Sequence, residues 1–133
     1  MSNKKEFFYT YLLEYNQAWY DKDIEKVKKF HDIKDNQLIY YDNHKNNDTY
    51  TLDSHLTLIS DFFKNGKKTE LGEVEELIIE DFNLFYKEDT ACLCYIARYK
   101  SFPNPGIRTT MYLEKKDNEW KIIHVHCSFE PEK

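Results

Sequence analysis

Two polar side chains, Tyr15 and Asp42, could carry out acid–base chemistry if the fold brings them to one cavity. A carboxylate can remove a proton next to a carbonyl group, and a phenol can donate a hydrogen bond to the resulting enolate. Each also has a structural interpretation. Tyr15 belongs to an aromatic stripe typical of a helix core, and an aspartate at a strand end commonly binds backbone amides. The residues alone leave both interpretations open.

A second polar pair, His124 and His126, lies in the segment 120–129, where alternation every second residue predicts a strand. Two histidines on one strand face can bind a metal ion when a third ligand joins them. Because no second ligand pair with recognisable spacing occurs, we predict no metal site. The alternation assigns one face to Trp120, Ile122, His124, His126 and Ser128, and the other to Ile123, Val125, Cys127 and Phe129.

The composition fits one domain over residues 1–133, with 17% aromatic residues to build a core. A net charge of -5, with lysines scattered among acids, argues against a nucleic-acid partner. Neither a membrane span nor a signal-like apolar block appears, so we expect no membrane partner and a cytoplasmic location. With three glycines and no glycine-rich phosphate loop, the sequence predicts no cofactor.

Helix-like spacing comes first along the chain and strand-like spacing follows, which predicts an α+β fold. Three N-terminal helices should pack on one side of a strongly curved antiparallel sheet. The predicted helices span about 4–20, about 21 or 23 to 31, and 53 or 54 to 65. The predicted strands span 38–42, a brief one around Tyr50, 76–86, 91–102, 108–115 and 119–129.

This order of elements, with Asp23-Ile24-Glu25, Tyr40-Tyr41-Asp42-Asn43 and the terminal Trp-(x)3-His-x-His-x-Ser pattern, resembles the nuclear transport factor 2-like superfamily. The last two strands look like its SnoaL-like branch and the association domain of calcium/calmodulin-dependent kinase II. The resemblance implies a cone-shaped, cystatin-like α+β barrel. It leaves the activity open, since the superfamily includes isomerases, cyclases, dehydratases and non-catalytic modules.

In the association domain, the resemblance implies a deep pocket that contains arginines. The corresponding positions here fall at Cys127 and near Met111 and Ala97, so a pocket at this site would be apolar. We therefore expect a domain that binds a small apolar or aromatic molecule. Beside Tyr15 and Asp42, the expected lining residues are Trp19, Tyr41, Phe62, Ala97, Met111 and Cys127.

The ketosteroid isomerase branch offers an alternative. There, the resemblance places Tyr15 at the oxyanion-hole tyrosine and Asp42 at the general base. The third group of that branch's active site, a protonated carboxylic acid, corresponds to a position near Arg108, where this sequence has arginine and threonine instead. An isomerase or cyclase that uses Asp42 and Tyr15 therefore remains open. So does an assembly module without a ligand, whose cavity its own aromatic side chains would fill.

Alternation on the penultimate strand places Arg108, Thr110 and Tyr112 across from His124 and His126 if the strands pair in register. Together they would form a polar and aromatic sheet surface. A surface of this kind on a small domain favours coverage by an identical subunit, as the superfamily resemblance also implies. We expect a homodimer through this face.

Overall fold

Five strands form one sheet and three helices pack against it in a computed structural model that describes residues 3–43, 46–65 and 76–131. The predicted α+β arrangement is confirmed. No helix among these residues is long and apolar enough to cross a membrane. The elements are α1 (Asn3–Tyr20), α2 (Ile24–Lys29), β1 (Ile39–Tyr41), α3 (Leu52–Asn65), β2 (Leu77–Tyr86), β3 (Thr90–Tyr99), β4 (Ile107–Lys116) and β5 (Glu119–Phe129).

The first helix buries one stripe, formed by Phe8, Leu12, Tyr15 and Ala18, because residues three and four apart share a helix face. It ends at Tyr20, and the turn that follows contains a left-handed residue, Lys22, with a φ of 56°. The next helix begins at once, since the Asp23 side chain accepts a hydrogen bond from the Lys26 amide and caps α2. The two helices therefore form a hairpin.

The strand order is β1-β5-β4-β3-β2. The last four strands form the predicted antiparallel meander, and β1 joins β5 in parallel, so the sheet is mixed. The brief strand predicted around Tyr50 is not formed. At that point Thr49 makes only an isolated bridge to Tyr40, which shields part of the β1 edge.

A β-bulge in β5 changes which side chains face the helices. The register runs from Tyr112 paired with His124 to Leu113 paired with Ile122, which leaves Ile123 as an extra residue. The predicted alternation is therefore wrong before the bulge. Ile122 is fully buried, and the Trp120 ring lies 5.0 Å from the Phe8 ring on the helix side.

The helix-facing side of the sheet, called the inner face below, carries the apolar side chains beyond the bulge. Ala97, Met111, Val125 and Cys127 are all buried there, as the sequence predicts. The opposite side, called the outer face, carries His124 and the residues that alternate with the buried ones on β3 and β4. Alternation along the strands thus gives the sheet an inner face that is buried in the core and an outer face that no helix covers among the described residues.

Candidate ligand-binding cavity

A cavity of about 150 Å³ lies between α1, α3 and the inner face of the sheet. Its sheet wall is apolar, and its helix wall is aromatic and polar. The lining includes nearly all of the residues predicted from sequence. Those residues are Tyr15, Trp19, Asp42, Phe62, Ala97, Met111 and Cys127.

Tyr41 is the exception, because it lies on the outer face. Its ring centroid is 5.5 Å from that of His124 and 5.7 Å from that of His126. The preceding residue, Tyr40, lines the cavity instead. The parallel register decides this, since Tyr40 pairs with the inward Val125 and Tyr41 with the outward His126.

The sheet wall also contains a small cluster of hydroxyl and thiol groups. The Sγ atom of Cys127 lies 3.8 Å from both the Tyr40 hydroxyl and the Thr109 hydroxyl. Burial raises the pKa of Cys127 to about 11, with the nearby Asp42 charge adding to it. Burial likewise raises the pKa of Tyr40 and Tyr95. At neutral pH these groups are protonated, so the thiol is not an activated nucleophile.

His55 on α3 also lines the cavity, a position that the sequence did not predict for it. Its ring stacks on Tyr40 at a centroid distance of 4.4 Å, and its Nδ1 atom lies 3.4 Å from the Thr49 hydroxyl. Burial, aided by neighbouring His31, lowers the pKa of His55 to about 3. The ring is therefore neutral at pH 7. A sequence signal existed, since His55 shares a helical stripe with Ile59.

Five lining residues carry a buried nitrogen or oxygen atom that forms no well-aligned hydrogen bond with the described residues, although Trp19 lies close enough to the Tyr15 hydroxyl to offset part of the rise in its pKa. Most buried polar groups are paired in folded proteins, so a concentration of unpaired ones around one cavity is unusual. The atoms are Tyr15 Oη, Asn16 Nδ2, Trp19 Nε1, Asn43 Nδ2 and His55 Nε2.

Asp42 follows β1 and is half-buried at the cavity. Its Oδ1 atom accepts a hydrogen bond of 2.9 Å from the Asn43 amide, and its own amide donates to Asp48 Oδ1 at 2.8 Å. Asp42 thus makes the backbone-amide contacts expected of an aspartate with a structural role at a strand end. It also lines the same cavity as Tyr15. Burial raises the pKa of Tyr15, so its hydroxyl is a donor at neutral pH.

On the outer face, Thr110 pairs with His126 and Tyr112 with His124, as predicted for strands in register. The Nδ1 atom of His124 donates a 2.8 Å hydrogen bond to the Ile39 carbonyl, which fixes the ring against β1. Within the described ranges, His, Cys, Asp and Glu side chains form no group of three or more that could hold a metal ion.

Comparison with known families identifies the class of protein that this fold and cavity define. The sequence profile of the SnoaL-like domain matches residues 10–131, and the chain belongs to this family. The predicted membership in the nuclear transport factor 2-like superfamily is confirmed. The comparison with curated proteins found no match.

Solved structures share the fold at low sequence identity. A nuclear transport factor 2-like protein of unknown function from Pseudomonas putida is 16% identical, with a TM-score of 0.76 over 96% of this chain and 88% of that one. A proposed calcium/calmodulin-dependent protein kinase II association domain from Xanthomonas campestris is 18% identical, with a TM-score of 0.67 over 90% and 82%. A proposed ketosteroid isomerase from Parabacteroides distasonis is 18% identical, with a TM-score of 0.62 over 86% and 80%.

Proposed function

We propose that this SnoaL-like domain binds a small, largely apolar molecule in the cavity between its helices and its sheet. The observation that carries this proposal is the cavity of about 150 Å³ between the helices and the inner face of the sheet. An engineered apolar cavity of about this volume holds one benzene-sized ring. In an assembly module without a ligand, aromatic side chains would fill this space, whereas Trp19 and Phe62 line it and leave it open.

Native mass spectrometry of freshly purified protein tests this proposal, because it reports a retained small molecule directly. We expect an added mass that disappears on mild denaturation. For a weakly held ligand lost during purification, titration with cyclohexanone and phenol provides the second arm. No added mass and no saturable binding of either probe at millimolar concentration would contradict the proposal.

A second candidate function is proton abstraction next to a carbonyl group, as in an isomerase. It is favoured by one observation, that Tyr15 and Asp42 line the same cavity. Asp42 would act as the general base, and the Tyr15 hydroxyl would donate to the developing enolate oxygen. The fold likeness to a proposed ketosteroid isomerase at 18% identity is consistent with this chemistry.

Deuterium exchange at the α-carbons of cyclohexanone in D₂O tests this candidate without knowledge of the natural substrate. General base catalysis by one side chain is worth about 10²- to 10⁴-fold. We expect Asp42→Asn to abolish protein-dependent exchange while the fold stays intact. Asp61→Asn, on the exposed side of α3, is the control and should catalyse the exchange at the rate of the parent protein. Equal exchange by the Asp42 variant would exclude this residue as the base.

We also propose that the outer face forms a homodimer interface around Arg108, Thr110, Tyr112, His124 and His126. Large apolar side chains of the same face are solvent-exposed in the single chain, among them Phe85 at 67% and Ile39 at 41%. An identical subunit would cover them. Sedimentation equilibrium should show a dimer that Thr110→Glu dissociates. Thr10→Glu, on exposed α1, should leave it intact, and a monomeric parent protein would contradict the proposal.

A further inference from the structure

Cys92 and Cys94 place two thiol groups side by side on the outer face. They lie two residues apart on β3, so both side chains point to the same side of the sheet. Their Sγ atoms are 4.0 Å apart, and both residues are half-buried. Neither of them lines the cavity between the helices and the sheet. The pair is therefore a cluster of metal-ligating groups separate from the proposed ligand site.

Aromatic side chains flank the thiol pair. Phe85 on β2 and Tyr112 on β4 are the partners of Cys92 on the two neighbouring strands. Burial raises the pKa of Cys92 to about 11, and the nearby Cys94 adds to the rise because a second negative charge would repel the first. Dithiols that exchange disulfides instead have lowered pKa values, as in Cys-x-x-Cys motifs. A redox role therefore does not suit this pair.

The spacing of the two sulfur atoms fits one bound metal ion. A cation between two thiolates removes their repulsion, because it lies close to both negative charges. A zinc–thiolate bond is about 2.3 Å long, and by this measure two sulfur atoms on one ion lie at most about 4.6 Å apart. The observed separation of 4.0 Å is within this limit. One ion can therefore bond to both sulfur atoms without a change in the β3 backbone.

The number of ligands decides between metal ions. Zn²⁺ in proteins takes four ligands, at least three of them from side chains. In the described part of the chain, His, Cys, Asp and Glu side chains form no group of three or more that could hold a metal ion, so Cys92 and Cys94 gain no third ligand of this kind. Thiolates are soft ligands that select Cu(I), and this ion forms stable complexes with two of them. A site with two thiolates therefore favours Cu(I) over Zn²⁺.

We infer that Cys92 and Cys94 bind one Cu(I) ion on the outer face as a two-coordinate thiolate site. On binding, each thiol releases its proton to water, and each sulfur atom donates an electron pair to the ion. No oxidation state changes, and the bound unit carries one net negative charge. The inference does not rest on the cavity, so ligand binding there and copper binding here can fail independently.

Anaerobic titration of the full chain with Cu(I) tests this inference, in competition with the chelator bicinchoninate, whose copper complex is followed by its absorbance. We expect one ion per chain. Cys92→Ser and Cys94→Ser should each weaken copper binding by at least about 100-fold, since even an outer-shell partner of a metal ligand is worth about 10- to 100-fold. Thr90→Ser is the matched control, because it alters the same face of β3, leaves both thiols and should bind copper like the parent protein.

Serine differs from cysteine only in its oxygen atom, so the variants should keep the parent fold, and urea unfolding checks this. X-ray absorption at the copper edge of the loaded parent protein needs no variant. It should show two sulfur neighbours. A larger number of sulfur neighbours, or a histidine nitrogen, would overturn a site formed by this pair.

Other results would also overturn the inference. One is that the chain takes no copper from bicinchoninate. If either single variant keeps the parent affinity, the two thiols do not act together, and if the double variant keeps it, the copper is bound at the remaining Cys127. Displacement of the copper by an equal concentration of Zn²⁺ would contradict the choice of ion.

The outer face is also the proposed dimer interface, so the titration is repeated with a variant that should weaken the dimer. Tyr41→Ala is suitable, because Tyr41 lies on β1, which β5 and β4 separate from β3. Equal copper affinity would support a site formed within one chain. An affinity that changes with the dimer would mean that the second subunit covers the pair or supplies a ligand, and would overturn the site as inferred.

Discussion

Tyr40 and Tyr41 are adjacent in the chain but lie on opposite faces of the sheet. The Tyr40 hydroxyl is 3.8 Å from the Cys127 thiol in the cavity wall, whereas the Tyr41 ring packs on His124 and His126 outside. This division places the two proposed functions, ligand binding and self-association, on opposite sides of one strand.

Alanine substitutions of these two tyrosines should therefore have different effects. Tyr40→Ala removes a core aromatic ring stacked on His55 and should lower the free energy of unfolding by about 3 kcal/mol. Tyr41→Ala should change it by less than about 1 kcal/mol within the monomer and weaken the dimer. Urea unfolding and sedimentation equilibrium measure the two quantities. The reverse order of stabilities would mean that the faces are assigned incorrectly.

Stability should fall when the pH drops from 7.0 to 5.5, because two histidines are buried in the neutral form. Burial lowers the pKa of His31 to about 4 and that of His55 to about 3, whereas both groups have pKa values near 6.5 when unfolded. Below pH 6.5 the unfolded chain binds protons that the folded chain does not, so the stabilisation present above 6.5 is lost as pH falls.

The expected loss is about 1 kcal/mol for each histidine over this interval. His55→Phe keeps a ring on Tyr40 and should remove about half of the pH dependence. Urea unfolding at the two pH values measures the difference, and a flat profile for the parent protein would refute this explanation.

The ion pair between Lys116 and Asp32 should stabilise the end of β4. The Nζ atom lies 2.6 Å from Asp32 Oδ2, and the aspartate side chain is only 7% exposed. Burial alone would raise the pKa of Asp32, but the Lys116 and Asp35 contacts outweigh it and lower the pKa. Lys116→Met should lower the free energy of unfolding by about 2 kcal/mol because it leaves a buried carboxylate without its cation.

Lys34→Met is a matched control, because the Lys34 and Asp117 side chains are both largely exposed. Exposed pairs contribute about 0–1 kcal/mol, so this variant should unfold almost like the parent protein. Chemical unfolding at pH 7 compares the two. Equal losses would show that burial of Asp32 does not strengthen its ion pair.

The sequence predicted those features that repeated spacing determines. The stripe through Leu12 and Tyr15 located α1, and alternation placed Val125 and Cys127 on the apolar wall. The family resemblance, rather than spacing, placed Ala97 and Met111 there. The sequence could not predict the bulge at Ile123, because a single extra residue leaves the apolar pattern of β5 almost unchanged. As a result, Trp120 and Ile122 were assigned to the wrong face.

For a similar reason, the sequence predicted only part of the cavity lining. β1 is three residues long, too short for alternation to set its phase, and only pairing with β5 places Tyr40 inward. His55 shares a helical stripe with Ile59, but histidine occurs both at surfaces and in cores, and only its stacking on Tyr40 places it at the cavity. Contacts between elements thus determine which side chains line the cavity at the positions where local spacing does not.

Cavity filling tests the central claim most directly. Ala97→Leu adds bulk inside the cavity, and Ala91→Leu adds the same bulk at a buried site on the same strand outside the cavity lining. In a cyclohexanone titration, the methyl resonances of Met111 and Val125 should shift in the parent protein and in Ala91→Leu, and should not respond in Ala97→Leu. Undiminished binding by Ala97→Leu would show that the ligand lies elsewhere and would contradict the proposed site.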